Sequence, residues 1–348
     1  MAYRAPVQLA RSDANPILSP NPDNDWEALV TTNPGAIYDE EQGKFVLLYR
    51  AAGEDQEHRI YLGLATSDDG VNFERASNEP ALSPSVDGAH DMGGIEDPRV
   101  MQVGDWYYVT YASRAYHAGQ YWLMAGNPSK PPECPDEFPI KFRENLTTTS
   151  LAITKDFRDW RRCGPVTDPR YDDRDVYFLP ERVGGRWWMI HRPMEWVGKH
   201  YGTEHPAMWI NSSEDLLHWD SSTSRLLAKA EFPWEVKVGG NTPPLRTEHG
   251  WLTIYHAKGP DGYYRLGVML LDLDNPAQIT HRTRGWIIQP EQDYETQGCY
   301  DMGGVIFPCG AVVRDGILHV YYGGADKYVG LATVSMKELL DYTLECPV

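Results

Sequence analysis

The 348-residue sequence is short of basic charge, short of cysteine and free of long apolar runs. Each shortage excludes something. Lysine and arginine number 32 against 50 aspartates and glutamates, a formal net charge of −18. Nucleic-acid phosphates and anionic membrane surfaces repel such a chain at long range, so neither is an expected partner. A small anion, which responds to local charge, stays admissible. The cysteines, Cys134, Cys163, Cys299, Cys309 and Cys346, are odd in number and lack Cys-x-x-Cys spacing. That pattern reads as reduced thiols in a cytoplasmic protein. The stretch MAYRAPVQLARSDANP has no apolar signal-peptide region, and no run approaches the ~18–20 apolar residues of a membrane span. His200, Glu204 and His205 lie close together without forming HExxH, and no GxSxG or GxxxxGK[ST] string occurs, so no metal and no cofactor are expected.

Phenylalanine is also scarce, at 8, beside 12 tryptophans and 21 tyrosines. Aromatics with a polar handle suit strand surfaces or a sugar-binding cleft. Hydrophobic residues make up 41% of the chain, enough for a packed core. The length admits two or three domains or one large all-β domain.

A repeat decides between them. A glycine followed by an aromatic-rich alternating run occurs as GKFVLLYR (43–50), GDWYYVTYASR (104–114), GRWWMIHRP (185–193), GWLTIYHAKG (250–259) and GILHVYYGGAD (316–326). Each run reads as a strand entered from a glycine hairpin turn. A second phrase follows each: GLATSDDGVNF (63–73), LAITKDFRDW (151–160), MWINSSEDLLHW (208–219), LGVMLLDLDNP (266–276) and GLATVSMKEL (330–339). Asp69, Asp156 and Asp215 within it read as turn residues that bond their own backbone. A proline-bearing phrase precedes each hairpin, at Asn33-Pro34, Asp97-Pro98, Leu179-Pro180, Pro243-Pro244 and Pro308-Cys309, where a strand would begin. Four strands repeated five times predict an all-β chain, a single five-bladed β-propeller of four-stranded blades over residues 1–348. The wider glycine spacing between 104 and 185 places an insertion within 117–148; Tyr116 at its edge and Tyr121 and Trp122 inside it would stack on a sugar or pack the loop.

In such a ring the first strand of each blade lines the axis. The geometry nominates Asn33, Arg50, Asp97, Arg114, Arg192, His256 and Asp326 as pocket residues. The densest motif is DMGGIEDPRV, 91–100. Strand alternation sets Glu96 and Asp97 on opposite faces, so one carboxylate should enter the channel. It would serve as a general acid, or Asp97 would pair structurally with Arg99. DMGG recurs at 301–304, which makes Asp301 either a pocket residue or part of a shared blade turn.

Taken together, TNPGA (32–36), LLYRAAG (47–53), GGIEDPRV (93–100), HRP (191–193) and YYGGAD (321–326) resemble glycoside hydrolase family 130, the β-mannoside phosphorylases and related β-mannosidases. The resemblance implies a five-bladed propeller in which phosphate attacks a terminal β-mannoside with inversion and yields α-mannose 1-phosphate. It implies that Asp97 is the general acid, acting through the mannosyl 3-hydroxyl, and that Asn33, Arg50 and Asp326 hold the mannosyl ring. Arg99, Arg114, His191 and Asp301 join them as candidate substrate residues. Arg174, Arg192 and Lys237 match phosphate-binding positions, with His256 and Tyr264 beside them. An inverting hydrolase needs a second carboxylate as base, whereas phosphate needs cations to hold it. Retention of that cationic set favours phosphorolysis. A β-mannosidase and a non-catalytic glycan-binding propeller remain the alternatives, and a homo-oligomer stays open.

Overall fold

The computed structural model describes residues 7–86, 90–119, 133–300 and 303–348. The predicted hairpins form and gather into five antiparallel sheets. Blade 1 runs Val30–Asp39, Lys44–Ala52, Ile60–Ser67 and Glu74–Arg75. Blade 2 runs Gly94–Val103, Trp106–Arg114, Thr148–Thr154 and Trp160–Pro165. Blade 3 comprises Asp173–Phe178, Trp187–Pro193, Met208–Ser213 and Arg225–Ala228. Blade 4 comprises Lys237–Gly240, Trp251–Lys258, Tyr264–Leu271 and Ile279–Arg282, with Leu245–Arg246 added beside its second strand. Blade 5 takes Ile306–Arg314, Ile317–Gly324 and Tyr328–Ser335 from the end of the chain and its outer strand, Ala10–Arg11, from the beginning. The architecture is the five-bladed β-propeller that the repeat predicts.

Strand alternation makes the ring. In blade 1, Leu47 and Tyr49 face blade 5 beside Tyr321 and Leu331, while Val46 and Leu48 face blade 2 beside Val109 and Tyr111. In blade 4, Trp251, Tyr255 and Ala257 face blade 3, and Leu252 and Ile254 face blade 5. Met101 and Leu151 of blade 2 meet Val176 and Phe178 of blade 3. Every blade thus buries both faces against neighbours, and each large side chain so buried stabilises by about 1.5–3 kcal/mol.

A second device repeats inside the blades. A second-strand tyrosine donates to a buried carboxylate that also receives an arginine from the outer strand. Blade 1 has Tyr49 Oη to Glu27 at 2.9 Å with Arg75 Nε at 2.8 Å. Blade 4 has Tyr255 to Glu235 at 2.8 Å with Arg282 at 2.8 Å. Blade 5 has Tyr322 to Glu295 at 2.7 Å with Arg11 at 2.8 Å, and blade 2 has Tyr111, Asp91 and Arg162. The clasp explains glycines of the second phrase. A Cβ at Gly63, Gly267 or Gly330 would lie 2.2, 2.5 or 2.5 Å from the ring of Tyr49, Tyr255 or Tyr322.

One expectation changes. Pro34, Pro98 and Pro308 do not open their strands but sit inside them at β-bulges, where the pairing register shifts. A bulge leaves a residue out of the ladder, so a missing N–H is tolerated there. Pro180, Pro243 and Pro244 follow the inner strand of their blades. Asp69, Asp156 and Asp215 behave as predicted, each accepting two backbone N–H bonds at 2.8–2.9 Å from its own turn. Within 117–148 the described residues hold one helical turn, Ile140–Arg143, and the start of a strand at Thr148. Tyr121 and Trp122 lie outside the described residues, and Tyr116 packs edge-on to Phe142.

Candidate active site where the five blades meet

The bulges in the inner strands of blades 1, 2 and 3 place one polar residue each in the left-handed backbone region: Asn33 at φ 46°, Asp97 at φ 54° and Asp175 at φ 57°. Short polar side chains tolerate that conformation better than branched ones, and such strain concentrates at functional sites. All three line one cavity of about 150 Å³, as does Asp326, itself at φ 53° in the turn between two blade 5 strands. Glu96 lines the cavity as well. The sequence expectation of opposite faces for Glu96 and Asp97 fails because the bulge breaks the two-residue alternation between them.

One side of the cavity surrounds Asp97. Its Oδ1 accepts from Asn33 Nδ2 at 2.8 Å and from Arg50 at 3.3 Å. Both donors go to the same oxygen, which leaves Oδ2 with no protein donor among the described residues. Arg50 also pairs with Glu96 at 3.0 Å and reaches the Tyr300 hydroxyl at 3.4 Å. Arg114 meets the other Glu96 oxygen at 3.4 Å. Burial works against the Glu96 charge, but Arg50, Arg114 and Arg174 prevail and hold it well below the usual carboxylate range. Asp326 is pushed the other way. Burial raises it to about 6, and the neighbouring Asp97 and Glu96 charges add to the rise although Arg50 opposes it.

The other side is cationic. Arg174 is held by Asp172 through two bonds of 2.6 and 2.7 Å. Arg192 Nε donates to Asp175 Oδ2 at 2.5 Å. Lys237 Nζ donates to the Tyr264 hydroxyl at 2.9 Å. Burial, reinforced by the Arg192 and Arg174 charges, lowers Lys237 to about 7. His256 lies against the same space, with burial depressing it to about 3, so its ring is neutral.

Asn33, Arg50, Asp97, Arg114, Arg174, Arg192, Lys237, His256, Tyr264 and Asp326 therefore converge. Two predicted residues stand behind the wall instead. His191 turns away from Arg192 by strand alternation and joins Asp173 at 2.7 Å and Ser224 at 3.1 Å. Arg99 lies past the bulge and braces three blades, reaching the Asp97 carbonyl at 2.9 Å, the Asn241 carbonyl at 3.0 Å and Asp175 at 3.4 Å. The Asp97–Arg99 side-chain pair considered from the sequence does not form. Asp301 lies outside the described residues, and Asp91 of the matching DMGG belongs to the blade 2 clasp. Sequence reasoning missed Glu96, Asp175 and Tyr300 as lining residues. Asp175 occupies the same place in its hairpin as Asn33 and Asp97 in theirs, but no proline follows it to mark the position in the sequence.

Residues 10–130 and 142–345 match the family described as beta-1,4-mannooligosaccharide phosphorylase, glycoside hydrolase family 130. The 1,2-beta-oligomannan phosphorylase of Thermoanaerobacter sp. (strain X514) is 33% identical over 339 residues, covering 96% of this chain and 99% of the relative. A beta-1,2-mannobiose phosphorylase of the same organism is 31% identical, covering 95% of this chain and 99% of the relative. The solved beta-1,2-mannobiose phosphorylase from Listeria innocua, in complex with beta-1,2-mannobiose, superposes with a TM-score of 0.75 at 26% identity, over 97% of this chain and 99% of that one. The chain belongs to glycoside hydrolase family 130.

Proposed function

We propose that the protein phosphorolyses a terminal β-D-mannoside with inversion and releases α-D-mannose 1-phosphate. The observation that carries this reading is the opposition within one cavity of a carboxyl held by neutral and cationic donors, Asp97, and a cationic wall of Arg174, Arg192 and Lys237. Asp97 gives its proton from the undonated oxygen, by way of the mannosyl 3-hydroxyl, to the departing sugar, with Asn33 and Arg50 fixing its orientation. Asn33, Arg50 and Asp326 hold the mannosyl unit, and Arg114 stands beside them. Arg174, Arg192, Lys237 and Tyr264 hold and orient phosphate, which arrives as its own nucleophile and so needs no cofactor. The curated relatives above 30% identity carry names specifying β-1,2 linkages, which makes β-1,2-mannobiose the first substrate to try. A charged sugar phosphate is retained inside a membrane boundary, which suits a cytoplasmic location. No helix among the described residues is long and apolar enough to cross a membrane.

The test is incubation with β-1,2-mannobiose with and without phosphate, followed by anomeric NMR. Phosphate-dependent α-mannose 1-phosphate is expected. Mannose release at the same rate without phosphate would replace this reading with hydrolysis. Asp97→Asn should lower turnover by about 10²–10⁴-fold with the circular dichroism spectrum unchanged; near-normal turnover would remove Asp97 from the acid role.

A further inference from the structure

The cationic wall contains a carboxylate that cations alone do not explain. Asp175 is buried, presented by the left-handed bulge of blade 3, and lines the cavity. Arg192 takes one lone pair of Oδ2 at 2.5 Å and Arg99 reaches Oδ1 at 3.4 Å. Each carboxylate oxygen offers two acceptor positions, so unused capacity remains. Room for it is made by Gly239, where a Cβ would lie 2.3 Å from Asp175 Oδ2.

His256 adds a second acceptor at the same spot. Asn241 Nδ2 donates to the Pro308 carbonyl at 2.7 Å, which orients Asn241 Oδ1 toward His256 Nδ1 at 3.1 Å. An acceptor there requires the proton on Nδ1, so Nε2 carries a lone pair. That Nε2 is fully buried, has no hydrogen-bond partner among the described residues, and lies 3.7 Å from Asp175 Oδ2. Two acceptors face each other with no proton between them. A ligand that donates a hydrogen bond would satisfy both.

We propose that Asp175 is a specificity-determining residue: it accepts a hydrogen bond from the P–OH of inorganic phosphate and so rejects tetrahedral anions that carry no proton. The proposal rests on the reading of the cationic wall as a phosphate site. At neutral pH every phosphate ion retains at least one proton, whereas sulfate retains none. The two ions match in shape, and Arg174, Arg192 and Lys237 attract both. Sulfate would set an acceptor oxygen against the Asp175 carboxylate and leave it desolvated and unpaired; hydrogen phosphate forms a charge-assisted bond with it.

The test compares phosphate and sulfate on the full chain, by calorimetry and by competition during mannobiose turnover. Sulfate is expected to bind the unmodified protein at least about tenfold more weakly than phosphate. Asp175→Asn, which offers an N–H to either ion, should narrow that ratio by acquiring competitive inhibition by sulfate. Equal binding of the two ions by the unmodified protein would overturn the role of Asp175 while leaving the phosphate site intact. An unchanged ratio in a folded Asp175→Asn protein would do the same. Binding of neither ion, with no phosphate dependence of turnover, would overturn the phosphate reading itself. The calorimetric arm on the unmodified chain decides the matter even if the variant does not fold.

Discussion

Burial lifts Asp326 to about 6, above its ordinary value of 3.8, and this has a sign. Between the two values the folded protein binds more protons than the unfolded chain, so this carboxyl lowers stability as pH rises from about 4 to 6 and keeps it lowered above. Asp326→Asn should remove that slope and raise the unfolding free energy at pH 7 by about 2–3 kcal/mol, measured by urea titration at pH 4 and pH 7. With Asp326 holding the mannosyl unit as proposed, affinity for mannosides should fall at the same time. Lys237 titrates in the opposite sense. Depressed to about 7, it is a cation below that pH and neutral above, so phosphate affinity should weaken as pH rises through 7. Lys237→Arg, charged throughout, should flatten the profile relative to the unmodified protein; parallel profiles would free Lys237 of the role. At this scale the sequence was informative where a second mark accompanied the residue. Asn33 and Asp97 are each followed by proline, and Asp326 by the close of an aromatic strand. Asp175 is followed by Val176 and carries no such mark. Glu96 escaped because alternation was assumed through a bulge that cancels it.

The blade depends on its clasp. Glu235 receives Tyr255 and two bonds from Arg282, all buried. Glu235→Ala should destabilise by about 3–5 kcal/mol, because it leaves the Arg282 charge buried without its carboxylate; calorimetry checks it. Gly267→Ala should also destabilise, since the new methyl meets the Tyr255 ring at 2.5 Å. A neutral outcome there would show that the ring has space to move. The hairpins were legible because their turns and alternation are local. The clasps were not, because Glu27 lies 22 residues from Tyr49 and 48 from Arg75. No local pattern links residues so far apart, although the tyrosines and the facing glycines were visible in the repeated phrases.

Across the whole molecule, the net charge of −18 and the cationic wall are compatible because five blades contribute to one cavity. Blades 3 and 4 bring Arg174, Arg192 and Lys237 together in that cavity. The ring itself is fastened by Ala10–Arg11 on Tyr328–Ser335 and by Arg11 on the fully buried Glu295. Arg11→Ala should therefore lower global stability by about 3–5 kcal/mol, and activity and structure should be lost in one transition on heating; activity surviving after blade 5 has unfolded would contradict a site that draws on Asp326.

That fastening also sets a schedule. The strand that finishes blade 5 is synthesised before the other four blades, and its partner after them. At about 5–20 residues per second, the nascent polypeptide spends tens of seconds as an incomplete stack. Throughout that time the outer strand of blade 5 waits unpaired, and the central cavity lacks the wall that Asp326 provides. Translation halted short of Tyr328 leaves a product with a nearly full set of blades and no closed ring. Closure of the ring is thus one late step of synthesis rather than a property acquired gradually along the chain.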